Sequence, residues 1–317
     1  MKRFILISTI ASLVFFAGGV LVRDAVRQLT FAPSAWAQHA RPARSQKPAL
    51  DVPFVPSKAG VVAEMLRLAD VRDGDVVYDL GCGDGRIVIS AAKRGAKCVG
   101  IDKDPERIKE CNVNAEREGV ADKVRFVEQD IFETDFSEAT VLALYLMPEI
   151  NMKLRPRILN ELKPGTRIVS HDFDMGEWQP EHVSRGERAS TVFLWVVPAN
   201  IGGVWQWDMP AALAGAAAGQ YTLTLAQEFQ KATGVLAREA SAWRVEEVKL
   251  YGDRIEFVVE QQGVLLAFEG RVKAHSIEGS MQWQDSGRAK RATWRAHRDP
   301  STVTRLGQGR AVSGEAR

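Results

Sequence analysis

A chain of 317 residues, 45% of them hydrophobic, exceeds the usual size of one domain and can bury a sizeable core, so two folded units are expected. Its 42 basic and 40 acidic residues leave a net charge of +2, which excludes broad attraction to nucleic acid or acidic lipid. Three cysteines, Cys82, Cys98 and Cys111, are an odd number with no C-x-x-C pair. That argues against a disulfide framework and a zinc site, and no metal is expected.

Lys2 and Arg3 precede an uncharged stretch from Phe4 to Val22, about long enough to span a bilayer. Two readings of residues 1–31 compete. As a secretory signal, the segment would be cleaved near Ala37, where Ala35-Trp36-Ala37 has the small-x-small form. As an uncleaved anchor, it is followed by Arg23, Arg27, Arg41, Arg44 and Lys47, an excess that holds the body of the chain in the cytoplasm at a bacterial inner membrane. Residues 32–51, with Pro, Ala, Arg and Ser, read as a linker in either case.

From residue 52 the pattern becomes regular. Val61, Val62, Met65, Leu66 and Ala69 form a helical stripe, Asp73-Gly74-Asp75 makes a turn, and Val76 to Leu80 is a strand. A helix follows from about Gly85 to Arg94, stopped by Gly95, then a strand from Lys97 to Ile101. Asp104 with Pro105 caps a helix that closes at Gly119. Strands are expected over 124–128, 140–146, 167–170 and 191–197, with a broken helical stretch from Glu149 to Leu162. Strands alternating with helices through short connections predict an α/β domain over 52–198, a Rossmann-like, mostly parallel sheet with helices on both faces.

Beyond Pro198 the pattern changes to alternation, as in Ile255, Phe257, Val259 and Val264, Leu266, Phe268, with turn signals at Gly252-Asp253, Gln262-Gly263 and Gly287. About seven short antiparallel strands over 199–298 predict a small all-β barrel or sandwich. Trp205, Trp207, Trp243, Trp283 and Trp294 are read as core, or else as an aromatic patch for a lipid, a peptide or a sister domain. Residues 299–317, basic and glycine-rich, are expected to be disordered.

The chemistry concentrates at "DLGCGDGR", residues 79–86. In an open parallel sheet, ligands bind at the carboxyl ends of the strands, and the first strand-to-helix turn meets the cofactor. Gly81, Gly83 and Gly85 permit a sharp turn and close approach, while the helix N-terminus behind them offers free N–H groups. Asp79, in the strand before the turn, repels a pyrophosphate but suits an amino group or sulfonium. Asp102 ends the next strand, where a carboxylate can take two ribose hydroxyls. Asp130 follows the third strand and can accept from an adenine amine, with Ile131 and Phe132 over the ring. An amino acid joined through a cation to a nucleoside fits all three.

"VVYDLGCGDGR", "GIDKDPERI" and "VRFVEQDIF" resemble the cofactor motifs of class I S-adenosylmethionine-dependent methyltransferases over about residues 52–198. The resemblance implies S-adenosyl-L-methionine as cofactor, with Asp79, Gly81, Cys82 and Gly83 around the methionine part, Asp102 at the ribose, and Asp130 with Ile131 at the adenine. The leader "PFVPS", residues 53–57, the -D-G-R-I-V- continuation, and Phe173 and Trp178 also resemble the ATP synthase c-subunit lysine methyltransferases and their bacterial relatives. That likeness implies transfer of a methyl group to a protein lysine amine, with a membrane protein as candidate partner. A small-molecule or lipid-like acceptor, or a non-catalytic cofactor module beside a ligand-binding β domain, are the alternatives.

A lysine acceptor must first lose a proton, so groups at the mouth of the sheet become candidates. "LYLMPEI" offers Tyr145 and Glu149, and "SHDFD" offers His171, Asp172 and Asp174. His171 beside Asp172 at a strand's end is the foremost base, and a hydrogen-bonded structural histidine is its equal alternative. Tyr145 in an apolar strand reads as core and Glu149 as a helix N-terminal acid unless the site recruits them. The fourth strand lacks an N-P-P-Y or D-P-P-Y run, so no nucleic acid partner is expected.

Overall fold

The structure, a computed structural model, describes residues 54–186, 190–209, 218–261, 263–285 and 287–307. Helix α1 (Ala59–Leu68) leads into β1 (Val76–Leu80), α2 (Arg86–Ala92), β2 (Lys97–Asp102), α3 (Pro105–Arg117), β3 (Val124–Glu128), β4 (Val141–Leu144), α4 (Pro148–Glu161) and β5 (Arg167–His171). Two further strands, β6 (His182–Arg185) and β7 (Thr191–Val196), complete a sheet of order β3-β2-β1-β4-β5-β7-β6. Strands β1 to β5 run parallel, and β7 and β6 join antiparallel. Strand β6 escapes sequence reading because its side chains, His182 to Arg185, are exposed or half-buried and carry no alternation.

Apolar strands feed both faces. Val77, Ala143 and Val169 pack with Val62 of α1, Ile87 and Val88 of α2 and Ala115 of α3 on one side. Tyr78, Leu80, Leu142 and Ile168 pack with Ile150, Leu154 and Ile158 of α4 on the other. Helix α3 starts as its sequence dictates, with the Asp104 carboxylate accepting from Glu106 N–H at 3.0 Å and Pro105 in the first turn.

The rest of the chain forms β8 (Gly203–Met209), β9 (Gly219–Glu228), β10 (Lys231–Arg238), β11 (Ser241–Tyr251), β12 (Arg254–Gln261), β13 (Val264–Lys273), β14 (Ser276–Asp285) and β15 (Arg288–Arg298). They close into an antiparallel barrel of eight strands where about seven were expected, in the order β10-β11-β12-β13-β14-β15-β8-β9. The seam between β15 and β8 is short, pairing His297 with Gln206 and Arg298 with Trp205. Trp205, Trp207, Trp283 and Trp294 are buried inside with Tyr221, Phe257 and Phe268, and Trp243 packs against them. These tryptophans therefore belong to the core rather than to an aromatic patch.

Two residues from this half complete the second face of the sheet. Phe229, at the β9–β10 turn, stacks on Trp178 at 6.2 Å, and Leu306 is 3% exposed. Asn160 of α4 brackets Leu306, accepting its N–H at 3.2 Å and donating to its C=O at 2.9 Å. The disorder expected from residue 299 is therefore corrected for residues 299–307. Pro300–Thr302 forms a short 3-10 turn, and Leu306, an apolar side chain with satisfied backbone groups, anchors the segment beyond that turn. Residues 308–317 lie outside the described residues, as do the apolar stretch at Phe4–Val22, the cleavage motif at Ala37 and the linker. Among the described residues, no helix is long and apolar enough to cross a membrane.

Arg298 locks one end of the barrel. It is 7% exposed, lies over the Trp205 ring at 4.9 Å, and donates to the carbonyls of Asn200, Gly202 and Ala274 at 2.8, 3.2 and 2.8 Å. Replacing it with Met keeps the length but removes the donor from all three carbonyls, the one at Gly202 buried. Arg298→Met is expected to cost about 3 kcal/mol of unfolding free energy, read as a lowered urea midpoint.

Candidate active site

A cleft opens at the carboxyl ends of the parallel strands and encloses about 1230 Å³, its open mouth included. The β1–α2 turn forms its floor. Gly81, Gly83 and Gly85 adopt φ of +79°, +56° and +80°, which side-chain-bearing residues rarely reach. Gly81 and Cys82 N–H both donate to Ile101 C=O, at 2.8 and 2.9 Å, pinning the turn to β2. A Cβ on Gly81 would meet Leu146 Cδ2 at 2.9 Å, and one on Gly83 would come within 2.2 Å of the Phe54 ring. The bare face of Gly83 is thus occupied by the leader rather than turned to the cleft, where Gly81 and Cys82 are.

The strand order arranges the predicted carboxylates in a row, with Asp130 after β3, Asp102 at the end of β2 and Asp79 within β1. All three line the cleft. Asp79 is 2% exposed and its Oδ2 has no partner among the described residues. Asp102 accepts from Gly83 N–H at 3.0 Å and from Asp104 N–H at 2.9 Å, so its carboxylate joins the two turns. Asp130 accepts from Phe132 N–H at 2.8 Å, which places Ile131 at the wall. Beneath the floor, Cys82 Sγ lies 3.9 Å from Cys111 Sγ, and Cys111 donates to Gly83 C=O. No group of His, Cys, Asp or Glu side chains among the described residues is arranged to hold a metal.

The row continues past β1 with Tyr145 after β4 and Phe173 after β5, both lining the cleft. His171 does not line it. The ring is 4% exposed, stacks on Tyr145 with centroids 4.0 Å apart, and holds Ser57 Oγ at 2.9 Å through Nδ1. Asp172 Oδ2 is 3.2 Å from His171 Nε2, while its Oδ1 accepts Thr191 N–H at 2.7 Å, which ties it to β7. Glu149 is exposed in the first turn of α4 and stands away from the cleft lining. The three residues expected to do proton chemistry, His171, Asp172 and Glu149, therefore lie behind or beside the cleft.

The ANTKMT methyltransferase domain matches residues 79–182, which hold the glycine turn, the three carboxylates and both cleft aromatics. A protein-lysine N-methyltransferase from Saccharolobus islandicus is 46% identical over 151 residues, 46% of this chain and 94% of the relative. The chain belongs to the protein-lysine N-methyltransferase family. The human ATP synthase c-subunit lysine N-methyltransferase is 32% identical over 144 residues, 45% of this chain and 61% of the relative. A solved structure of an RNA methyltransferase from Salinibacter ruber in complex with S-adenosyl-L-homocysteine is 53% identical, covering 46% of this chain and 96% of its own, with a TM-score of 0.45. This chain is an S-adenosylmethionine-dependent methyltransferase, and the matched domain ends before β8, so the barrel lies outside it.

Sequence reasoning missed how this methyltransferase uses its leader. Phe54 rests on Gly83 with Arg107 stacked over its ring at 4.4 Å. Arg86, paired with Asp84 at 2.9 Å, donates to Ser57 C=O at 2.6 Å. The leader is thereby fastened across the cleft at Gly83, Arg86 and His171. The motif "PFVPS" was its only sequence signal, since the partners lie 29 and 114 residues away.

Burial, reinforced by the charges of Asp102 and Asp84, pushes the Asp79 carboxyl up to about 8. An acid whose folded pKa lies above its unfolded value is stabilised in its protonated form, so stability is greatest at low pH and falls as pH rises toward 8. The expected loss between about pH 5 and about pH 8 is several kcal/mol at roughly 1.4 kcal/mol per unit. Asp79→Asn should abolish that slope, so urea denaturation of the two proteins should show the variant gaining on the wild type as pH rises.

Proposed function

We propose that this enzyme methylates the ε-amine of a lysine on a protein, and that Asp79, Asp102 and Asp130 hold its cofactor. The observation that carries this reading is the buried Asp79 carboxylate, whose Oδ2 has no partner within the described chain. A group so placed calls for a cation, and the α-ammonium of S-adenosylmethionine is one. Each Asp102 oxygen already takes one N–H and retains a lone pair for a ribose hydroxyl. Asp130 beside Ile131 suits the adenine amine and ring. Gly81 and Cys82 line the floor where the methionine chain would lie.

When bound, the cofactor supplies a methyl carbon activated by a sulfonium. The chain's own part is to exclude water and to align a nucleophile with that carbon. Tyr145 and Phe173 continue the row of cleft groups on the side of Asp79 away from Asp102, where an acceptor must enter. The names of the relatives support lysine as that acceptor. In the mouse, one is an adenine nucleotide translocase lysine N-methyltransferase, 32% identical over 149 residues. Both named substrate types motivate a membrane protein as partner. We place the enzyme at the inner membrane through residues 1–31, catalytic domain cytoplasmic, where the cofactor is made, and with no nucleic acid partner.

Incubation with radiolabelled S-adenosylmethionine and membrane extract tests the acceptor. Label is expected on lysine in protein, and label confined to lipid or small molecules would overturn the reading. Asp102→Ala should weaken S-adenosylmethionine binding by about 3 kcal/mol, more than 100-fold, in isothermal titration, while the circular dichroism spectrum stays unchanged. An unaltered affinity would remove Asp102 from the cofactor site.

A further inference from the structure

Tyr145 is a polar group of the cleft to which no task has yet fallen. It is half-buried, and its hydroxyl makes no hydrogen bond with the described residues. Its ring, by contrast, is held firmly. His171 stacks on it at 4.0 Å and 30°, and Phe173 flanks it at 6.1 Å and 20°. Phe173 is fixed in turn, its C=O accepting from Ser170 Oγ at 2.6 Å.

His171 cannot serve as the base from this position. Its Nδ1 meets Ser57 Oγ at 2.9 Å, and its buried Nε2 faces Asp172 Oδ2 at 3.2 Å rather than the cleft. Burial lowers the imidazole pKa against the opposing charge of Asp172, so the ring stays neutral. Neither ring nitrogen reaches the cleft lining.

We propose that Tyr145 receives an N–H of the acceptor amine on its hydroxyl oxygen and so orients the nitrogen lone pair, with Phe173 flanking the lysine stem and His171 a positioning residue that acts through the Tyr145 ring. This rests on lysine as the acceptor. Burial, with the charge of Asp172, pushes the phenol above its ordinary pKa. It therefore orients the amine without becoming its base, and the ammonium gives its proton to water before it is seated.

The test uses the full chain, radiolabelled S-adenosylmethionine and poly-L-lysine. Tyr145→Phe removes only the hydroxyl and should lower kcat about 10- to 100-fold, leaving the KM for poly-L-lysine and the calorimetric affinity for cofactor within about twofold. Tyr145→Ala removes the ring as well and should also weaken poly-L-lysine binding measured calorimetrically without cofactor. His171→Gln should lower kcat, and the double variant His171→Gln/Tyr145→Phe should be no slower than Tyr145→Phe alone, because both changes disable one act. A Tyr145→Phe protein with wild-type kcat, or losses that multiply in the double variant, overturns the proposal while lysine stands. A wild-type chain that binds cofactor yet leaves poly-L-lysine unlabelled overturns the lysine reading itself, and this proposal with it.

Discussion

Holding the Asp79 carboxyl out of water at the end of β1 costs free energy that the described protein does not recover, because Oδ2 meets no donor and Asp102 and Asp84 add unfavourable charge. The surrounding architecture is arranged to keep that cost in place. The glycine turn is pinned to Ile101, Asp102 bridges the turns after β1 and β2, and the Phe54 ring covers Gly83. A site with a built-in deficit of positive charge favours a cationic ligand over an anionic one of the same shape. The same logic separates this turn from the dinucleotide-binding kind, where an acid at this point would face a pyrophosphate.

The α/β half was legible because its signals are local. The alternation of strand and helix, the Asp104–Pro105 start of α3 and the carboxylates at strand ends all lie within short windows of sequence. The strand order then turns three separated aspartates into a row. What could not be read was contact between distant segments. Nothing in "PFVPS" says that Phe54 will cover Gly83, or that Ser57 will hold a histidine 114 residues on. The choice between the two readings of His171 has a similar origin. Its place at the end of β5 is plain in the sequence, but burial beneath the Tyr145 ring is a packing fact. Tyr145 reads as core from its apolar neighbours, although it follows the last residue of β4 and stands at the cleft wall.

The leader and the barrel each repair a gap in the sheet, at opposite ends of the described chain. The leader closes over the carboxyl ends of the strands, while Phe229 and Leu306 fill the face beside α4 that Trp178 and Trp195 leave apolar. The barrel is packed through its middle by Trp207, Tyr221, Phe268 and Trp294, with ring centroids 4.9 to 6.4 Å apart. It offers this methyltransferase a rigid body fused to the sheet at Phe229, through the backbone bond from Ala199 N–H to Gly252 C=O, and through Gln230, which donates to Gln179 C=O.

The seam between β8 and β15 carries a consequence for how the chain comes to be folded. The strand that opens the barrel waits for the strand that ends it, and Leu306 comes later still, so ring closure and completion of the sheet's second face come after the other described strands have been made. Until then the apolar inner edge of β8 and the groove along α4 are open to water. A nascent chain that stops before residue 288 lacks β15, so its cylinder has no strand to close on β8.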